Sequence, residues 1–154
     1  MPPLSTDEDL MHLALAQARI AASRGEAPIG AVIADPVTGE MIASAGNGPI
    51  GAHDPTAHAE ILAMRQAALK LSNYRLTGLT LVVTLEPCAM CAGAISMARI
   101  GRLVFGASDP KGGGIMHGGR LFEQSTCHWR PQVIGGVLAE ESAEMLRDFF
   151  RARR

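Results

Sequence analysis

The sequence predicts an α/β fold in which helices cover both faces of a β-sheet. Segments with helical spacing of apolar residues alternate with short apolar runs that are rich in β-branched residues. One such run, Leu79–Leu85, holds two valines and two threonines, which favours a buried central strand. Strands that are separated by helices are expected to pair as parallel neighbours. The length of 154 residues and a hydrophobic content of 47% suit one domain with a core.

The first helix is predicted from about residue 7 to residue 23. Apolar residues from Leu10 to Ile20 recur at roughly helical spacing. Ser5 or Thr6 can cap the start of this helix, and Arg24-Gly25 is the expected end.

A β-hairpin and a loop follow this helix. Residues 28–34 and 40–45 predict two paired strands, and the segment 35–39 (Asp-Pro-Val-Thr-Gly) has the composition of a turn. Residues 46–55 are rich in Gly, Pro, Asn and Asp and therefore predict a loop.

Two further helices are expected to carry the reactive side chains. An amphipathic pattern that begins at Thr56 predicts a helix with His58 and Glu60 in its first turns. Pro87 interrupts the central strand, and Cys88–Met97 predicts a helix of small residues that can pack closely against the first.

The C-terminal part predicts two more strands and a terminal helix. Arg102–Ala107 and residues 131–137 have the composition of strands, and residues 140–151 form an amphipathic helical pattern. Between the strands, the glycine-rich segment 109–119 is expected to be flexible, and Leu121-Phe122 to open a short helix.

The segments around His58 and Cys88 contain a set of zinc ligands. His58, Cys88 and Cys91 supply one imidazole and two thiols, the three ligands of a catalytic zinc whose fourth position is open to water. If Cys88 begins a helix, the positive helix end also favours the thiolates. Glu60 is not needed as a ligand and is free to carry protons. The order H-x-E…P-C-x-x-C is the signature of zinc-dependent nucleobase deaminases.

The cysteines also fit other kinds of site. A Cys-x-x-Cys pair also occurs in redox proteins and in structural zinc sites. A closed structural site needs a fourth ligand, for which Cys127, beside His128, is the only other cysteine. A non-catalytic, zinc-stabilised RNA-binding protein is a further alternative, although such a site has no use for Glu60. The pattern as a whole favours catalysis, with Cys127 left as a free thiol.

The sequence also indicates the compartment in which the protein acts. No apolar run approaches the roughly 20 residues that a membrane-spanning helix needs. Residues 1–9 lack the basic and apolar regions of a signal peptide. Three cysteines, two of them assigned to a metal, favour a reducing cytoplasm.

Charge is distributed unevenly along the chain. Residues 1–98 contain five Lys/Arg and nine Asp/Glu, which leaves −4, whereas residues 99–154 contain nine and six, which leaves +3. Arg147, Arg151, Arg153 and Arg154 contribute to this excess, which indicates an anionic partner. Alternatively, the arginines only complement the negative end of the last helix.

Longer sequence segments along almost the whole chain resemble those of the bacterial tRNA-specific adenosine deaminases, within the cytidine-deaminase-like superfamily. The zinc motif alone is common to the superfamily, whereas these segments are typical of the tRNA enzymes. They are residues 27–32, 46–47, 53–60, 73–76, 84–94, 99–111 and 149–151.

The resemblance implies a three-layer α-β-α, cytidine-deaminase-like fold with a five-stranded mixed sheet, spanning residues 1–154 as one domain. It implies one Zn²⁺ per chain, a homodimer, no DNA partner, and conversion of the wobble adenosine in a tRNA anticodon loop to inosine. Two departures affect the expected RNA contacts: Gly48 stands where many relatives have a larger residue, and the segment 112–124 is shorter than in some relatives.

The resemblance also assigns roles to side chains. Glu60 transfers protons between water, N1 of adenine and the departing amine, and Asn47 hydrogen-bonds the nucleotide. Asp109, Lys111, Phe149 and Arg153 are expected to contact flanking nucleotides. The alternatives are that Asn47 is only a turn residue and that Phe149 only packs in the core. A deaminase of a free base or nucleoside, such as guanine or cytosine, would share the zinc site but would not need the basic C-terminal surface.

Overall fold

One mixed sheet forms the centre of the computed structural model, which describes residues 6–153. The sheet has the strand order β2-β1-β3-β4-β5. β1 is antiparallel to both of its neighbours, whereas β3, β4 and β5 run parallel to one another. The strands are β1 (Gly30–Ala34), β2 (Met41–Gly46), β3 (Thr80–Leu85), β4 (Arg102–Ala107) and β5 (Gln132–Ile134).

Within residues 6–153, five α-helices and one 3-10 turn connect or flank these strands. They are α1 (Asp7–Ser23), α2 (Pro49–Ala52), α3 (Ala59–Leu71), α4 (Ala89–Ala98), the 3-10 turn Leu121–Glu123 and α5 (Ala139–Arg151).

The sheet separates two apolar cores, as the alternation of side chains along a strand requires. On β3, Leu81 and Val83 point to the core that α3 and α4 cover, whereas Val82 points to the core that α1 covers and that α5 borders. The molecule therefore has three layers, and the predicted α/β fold with a five-stranded mixed sheet is confirmed.

Local sequence signals placed several elements correctly. α1 has the predicted bounds, and Thr6 caps it in a reciprocal capping box with Asp9. Ser5, the other proposed cap, lies outside the described residues. The β1–β2 hairpin, the bounds of β4 and the short helix at Leu121 are also as predicted.

The expectation of parallel neighbours is wrong for β1 and β3, which pair antiparallel. The reason lies in the hairpin. The crossover through α3 joins β2 to β3, and these two strands do run in the same direction, but β1 lies between them.

Boundaries near the reactive residues also differ from the predictions. The loop 46–55 contains the single-turn helix α2, which Pro49 begins. His58 and Cys88 lie at the N-cap positions of α3 and α4 rather than inside those helices. β5 is shorter than predicted. Among residues 6–153, no helix is long and apolar enough to cross a membrane.

The core beneath α1 provides a test with a matched control on one helix. Leu15 is 1% exposed and Leu13 is 44% exposed. We expect Leu15→Ala to lower the free energy of unfolding by about 2–5 kcal/mol, because it leaves a cavity between α1 and the sheet. Leu13→Ala should cost less than about 1 kcal/mol. Urea denaturation of the two zinc-loaded variants measures the difference, and equal losses would contradict this assignment of the helix faces.

Candidate metal centre and active site

Three side chains converge at one point above the sheet. The Nδ1 atom of His58 lies 3.5 Å from Sγ of Cys88 and 3.5 Å from Sγ of Cys91. All three potential ligand atoms lie within 4.8 Å of one another. Tetrahedral zinc, with bonds of about 2.3 Å to sulfur and about 2.05 Å to nitrogen, would separate S and N by about 3.6 Å. The side chains present therefore fit a zinc ion.

The starts of two helices bring these ligands together. His58 and Cys88 have extended backbones at the N-caps of α3 and α4, and Cys91 lies one turn inside α4. The positive dipole at both helix starts stabilises negative charge on the thiolates. The predicted ligand set is thus placed at one position, on two segments that are distant in sequence.

The two thiols differ in acidity in the metal-free protein. A hydrogen bond from Cys91 lowers the pKa of Cys88 to about 5, and the same interaction, together with burial, raises the pKa of Cys91. To bind both sulfurs as thiolates, zinc must displace the proton of any protonated thiol.

Glu60 lies in the first turn of α3 and is 4% exposed. Burial raises the pKa of its carboxyl, against smaller opposing effects of its own backbone and of His58. Among residues 6–153, the cluster of ligand atoms consists of His58, Cys88 and Cys91 and does not include this carboxylate. A buried carboxylate with increased proton affinity that does not bind the metal suits proton transfer.

Asn47 has both a structural contact and a free donor. Its Oδ1 accepts a hydrogen bond of 2.9 Å from the N–H of Ala59, at the start of α3 and next to His58. Within the described part of the chain, its side-chain nitrogen donates no hydrogen bond. The residue is therefore more than a turn former, because it fixes the start of the helix that carries His58.

Asp109 and Lys111 lie together in a groove of about 500 Å³. Leu85 and Ala107, at the carboxyl ends of β3 and β4, form part of its lining. Facing residues of α5 complete it; these include Arg147, Phe150 and Arg151. We refer to this cavity as the basic groove.

Phe149 and Arg153, also predicted to contact substrate, do not line the basic groove. The Arg153 guanidinium lies 3.5 Å from the centre of the Phe149 ring, and its Nη1 donates to the Phe149 carbonyl at 3.2 Å. The spacing i, i+3, i+4 of Arg147, Phe150 and Arg151 is the signal that identifies the groove-facing side of the helix. Arg154 lies outside the described residues.

Two buried carboxylates had no role in the sequence analysis. Glu26 accepts hydrogen bonds from the N–H groups of Ile50 and Gly51, at 3.1 and 2.8 Å, and so anchors α2. Glu86 accepts hydrogen bonds from the segment 109–117. That segment was expected to be flexible, but these contacts hold it in place. An acidic residue directly after an apolar strand, as Glu86 is, was the available signal.

Cys127 lies away from the ligand cluster. Its thiol donates to the Trp129 carbonyl at 3.1 Å and lies 3.6 Å from the Ser96 hydroxyl. The set of ligands in residues 6–153 therefore stays at three, as a catalytic site requires, and does not become a closed set of four.

The fold and the three-ligand centre define a zinc-dependent deaminase domain, and comparison with known proteins agrees. The family model for the cytidine and deoxycytidylate deaminase zinc-binding region matches residues 4–107. The tRNA-specific adenosine deaminase of Agrobacterium fabrum is 54% identical over 144 residues, which cover 94% of this chain and 93% of the relative. The chain belongs to the family of tRNA-specific adenosine deaminases.

Solved structures give the same result. A structure from a study of A-to-I editing by tRNA:A34 deaminases at the wobble position of transfer RNA has a TM-score of 0.86 and 53% identity. The match covers 89% of this chain and 98% of that one. A guanine deaminase from Nitrosomonas europaea has a TM-score of 0.82 at 24% identity, over 96% of this chain and 86% of that one, and so shows a shared fold.

The ligand set makes a prediction about metal content. His58→Ala, Cys88→Ala and Cys91→Ala should each lower both zinc per chain and the melting temperature, because metal binding is coupled to folding. Cys127→Ala, the matched thiol outside the cluster, should change neither quantity. Elemental analysis and thermal denaturation measure both. Loss of zinc in Cys127→Ala would favour a closed, structural site.

Proposed function

We propose that this chain deaminates the wobble adenosine of tRNA to inosine, using zinc and water. The observation that carries the proposal is Glu60, a buried carboxylate beside a three-ligand zinc site in which it is not a ligand. Relatives that match almost the whole chain bear the name tRNA-specific adenosine deaminase, which supports the same substrate.

The reaction follows from the roles of these side chains. Zinc held by His58, Cys88 and Cys91 would acidify a water molecule, lowering the pKa of that water to roughly 7. Glu60 accepts a proton as the oxygen adds to C6 of adenine, and donates it to N1. It then transfers the second proton to the amine, which leaves as ammonia, so that adenosine and water yield inosine. One carboxylate can perform both transfers because they occur in sequence.

The nucleotide must be held against this site during the transfers. We assign Asn47 to that task, because its side-chain nitrogen is a free donor while its oxygen is fixed on α3. The oxygen contact prevents rotation of the amide and therefore fixes the direction in which the N–H₂ group points. The residue thus positions the ligand His58 and the substrate together.

The basic groove is proposed to bind the nucleotides that flank the target. Lys111, Arg147 and Arg151 provide cations for phosphates, and Phe150, 51% exposed, provides a surface on which a base can stack. Asp109 offers an acceptor for a base or a sugar hydroxyl. Phe149 and Arg153 remain proposed contacts for the adjoining nucleotide, as a stacked pair next to the groove.

We further propose a cytoplasmic homodimer of single-domain chains that binds RNA and not DNA. Tyr74 and Met97 are exposed large side chains and line a second cavity, with Trp129 beside them. Burying these side chains against a second copy would remove apolar surface from water. The three free cysteines are consistent with a reducing compartment.

Incubation of the zinc-loaded protein with total tRNA tests the proposed activity, with inosine detected by sequencing. We expect the wild type to form inosine at the wobble position and to release little ammonia from free guanine, cytosine or adenosine. Glu60→Gln should retain one zinc per chain and lose activity by at least about a hundredfold, because general acid–base catalysis contributes roughly 10²–10⁴.

Two outcomes would contradict this assignment. Near-normal turnover by zinc-loaded Glu60→Gln would show that another group carries the protons. Efficient deamination of a free base by wild-type protein that ignores tRNA would favour a small-molecule deaminase.

The two lysines of the chain test the basic groove. Lys111 lines the groove, whereas Lys70 lies on α3 and pairs with Glu40. We expect Lys111→Ala to raise KM for tRNA roughly tenfold with little change in kcat, because a charged contact to phosphate is lost. The slope of log(kcat/KM) against log salt should fall by about 1. Lys70→Ala should match the wild type in both quantities, and a salt slope that neither variant changes would exclude phosphate binding at Lys111.

A further inference from the structure

Glu86 is a buried carboxylate that the proposed chemistry does not use. It is 2% exposed and directly precedes Pro87 and Cys88. Its Oε1 accepts hydrogen bonds from the N–H of Asp109 at 3.0 Å and from Nδ1 of His117 at 2.8 Å. Its Oε2 accepts from the N–H groups of Ile115, Met116 and His117, at 3.0–3.2 Å. Five donors from one loop thus converge on a single side chain.

The loop held in this way, residues 109–117, contacts the zinc-binding turn directly. The N–H of Gly114 donates to the Pro87 carbonyl at 2.8 Å. A methyl group on Gly114 would lie 2.7 Å from the Ala89 nitrogen, so that the backbone of the loop packs against the backbone at the start of α4. Only a residue without a side chain permits this approach.

The other arm of the same loop forms a wall of the basic groove. Asp109 and Lys111 line the groove, and Asp109 Oδ1 accepts the N–H groups of Lys111 and Gly112, at 3.2 and 3.0 Å. The position of Lys111 relative to Cys88 therefore depends on Asp109, and the position of Asp109 depends on Glu86. One carboxylate connects the groove to the metal centre.

We propose that Glu86 is a positioning residue that holds the 109–117 loop, and with it Asp109 and Lys111, in the geometry that binds the nucleotides flanking the target. This inference rests on the proposed function. A carboxylate suits the role because it has two acceptor oxygens and no hydrogen. A glutamine would present one acceptor and an N–H₂ group, which would face donors of the loop.

A preformed loop lowers the cost of binding a flexible RNA loop. If residues 109–117 became ordered only on contact with RNA, the entropic cost of ordering them would oppose binding. The affinity for RNA would then be lower. Loosening the loop should therefore weaken binding more than it slows the chemical step. Binding and turnover at saturation can be measured separately, which distinguishes positioning from a general structural role.

Glu86→Gln tests the proposal against the isosteric control Glu123→Gln, whose side chain is 64% exposed on the neighbouring 3-10 turn. Each change is also introduced into full-length, zinc-loaded Glu60→Gln protein, and the dissociation constant for an anticodon stem-loop RNA is measured by fluorescence anisotropy. For Glu86→Gln we expect this constant, and KM for tRNA, to rise about tenfold with little change in zinc content or kcat. Glu123→Gln should match its parent.

A second pair of variants alters the same contact from the loop. A methyl group on Gly113 would overlap the Glu86 carboxylate, whereas one on Gly119 would meet no atom within 4 Å. Gly113→Ala should therefore reproduce the weaker RNA binding with zinc retained, and Gly119→Ala should not. This pair decides the question if Glu86→Gln does not fold.

Each negative result of these experiments would have a different meaning. RNA affinity that neither Glu86→Gln nor Gly113→Ala changes would overturn the positioning role and leave the proposed function intact. Loss of zinc in step with loss of affinity would overturn it in favour of a structural role at the metal centre. If parent Glu60→Gln protein bound no stem-loop RNA, this inference and the proposed function would both fail.

Discussion

The structure depends on bringing the starts of two helices to one point. His58 and Cys88 cap α3 and α4, and ligation requires their side chains to lie about as far apart as two ligands of one zinc ion. This constraint explains the small residues on α4, since Cys91 and Ala92 are fully buried on its inner side. It also explains why Asn47 is bound to the first turn of α3. A shift of either helix by one turn, about 5 Å, would separate the ligands.

The described residues include three buried glutamates, and their environments differ. Burying a carboxylate is costly unless hydrogen bonds or opposite charges compensate for the lost water. Glu26 receives two backbone N–H groups, and Glu86 receives four together with a histidine ring. Hydrogen bonds lower the pKa of Glu86 despite burial, whereas burial dominates at Glu60 and raises its pKa. The same side chain is thus an anchor where several donors surround it, and it is suited to proton transfer where burial dominates.

Sequence reasoning succeeded where the signal was local. A capping residue and apolar spacing were enough to place α1, and ligand chemistry with its spacing was enough to identify His58, Cys88 and Cys91. It failed where distant segments decide the outcome. Neither the insertion of β1 between β2 and β3 nor the convergence of the 109–117 loop on Glu86 leaves a pattern within one short segment.

Which of two adjacent residues on α5 faces the groove also depends on distant parts of the chain. Phe149 and Phe150 are consecutive, so both fit an aromatic contact by composition, yet about 100° of helix rotation separates them. Only Phe150 faces the groove, together with Arg147 and Arg151. The periodicity of the helix is visible in the sequence, but the face that α5 turns towards the sheet depends on its packing against β3 and β4.

The zinc centre and the basic groove lie on different elements, and separate contributions to function are proposed for them. A fold shared with a protein described as a guanine deaminase shows that this architecture does not by itself select a substrate. The metal ligands and Glu60 lie at the starts of rigid helices, where their geometry can remain constant while the surrounding loops differ. Under the proposed function, substrate selection is assigned to the elements at the carboxyl ends of β3 and β4, which are the 109–117 loop and α5. Glu86 lies in sequence between β3 and the cysteine turn and is hydrogen-bonded to that loop, so it connects the proposed selective element to the metal centre.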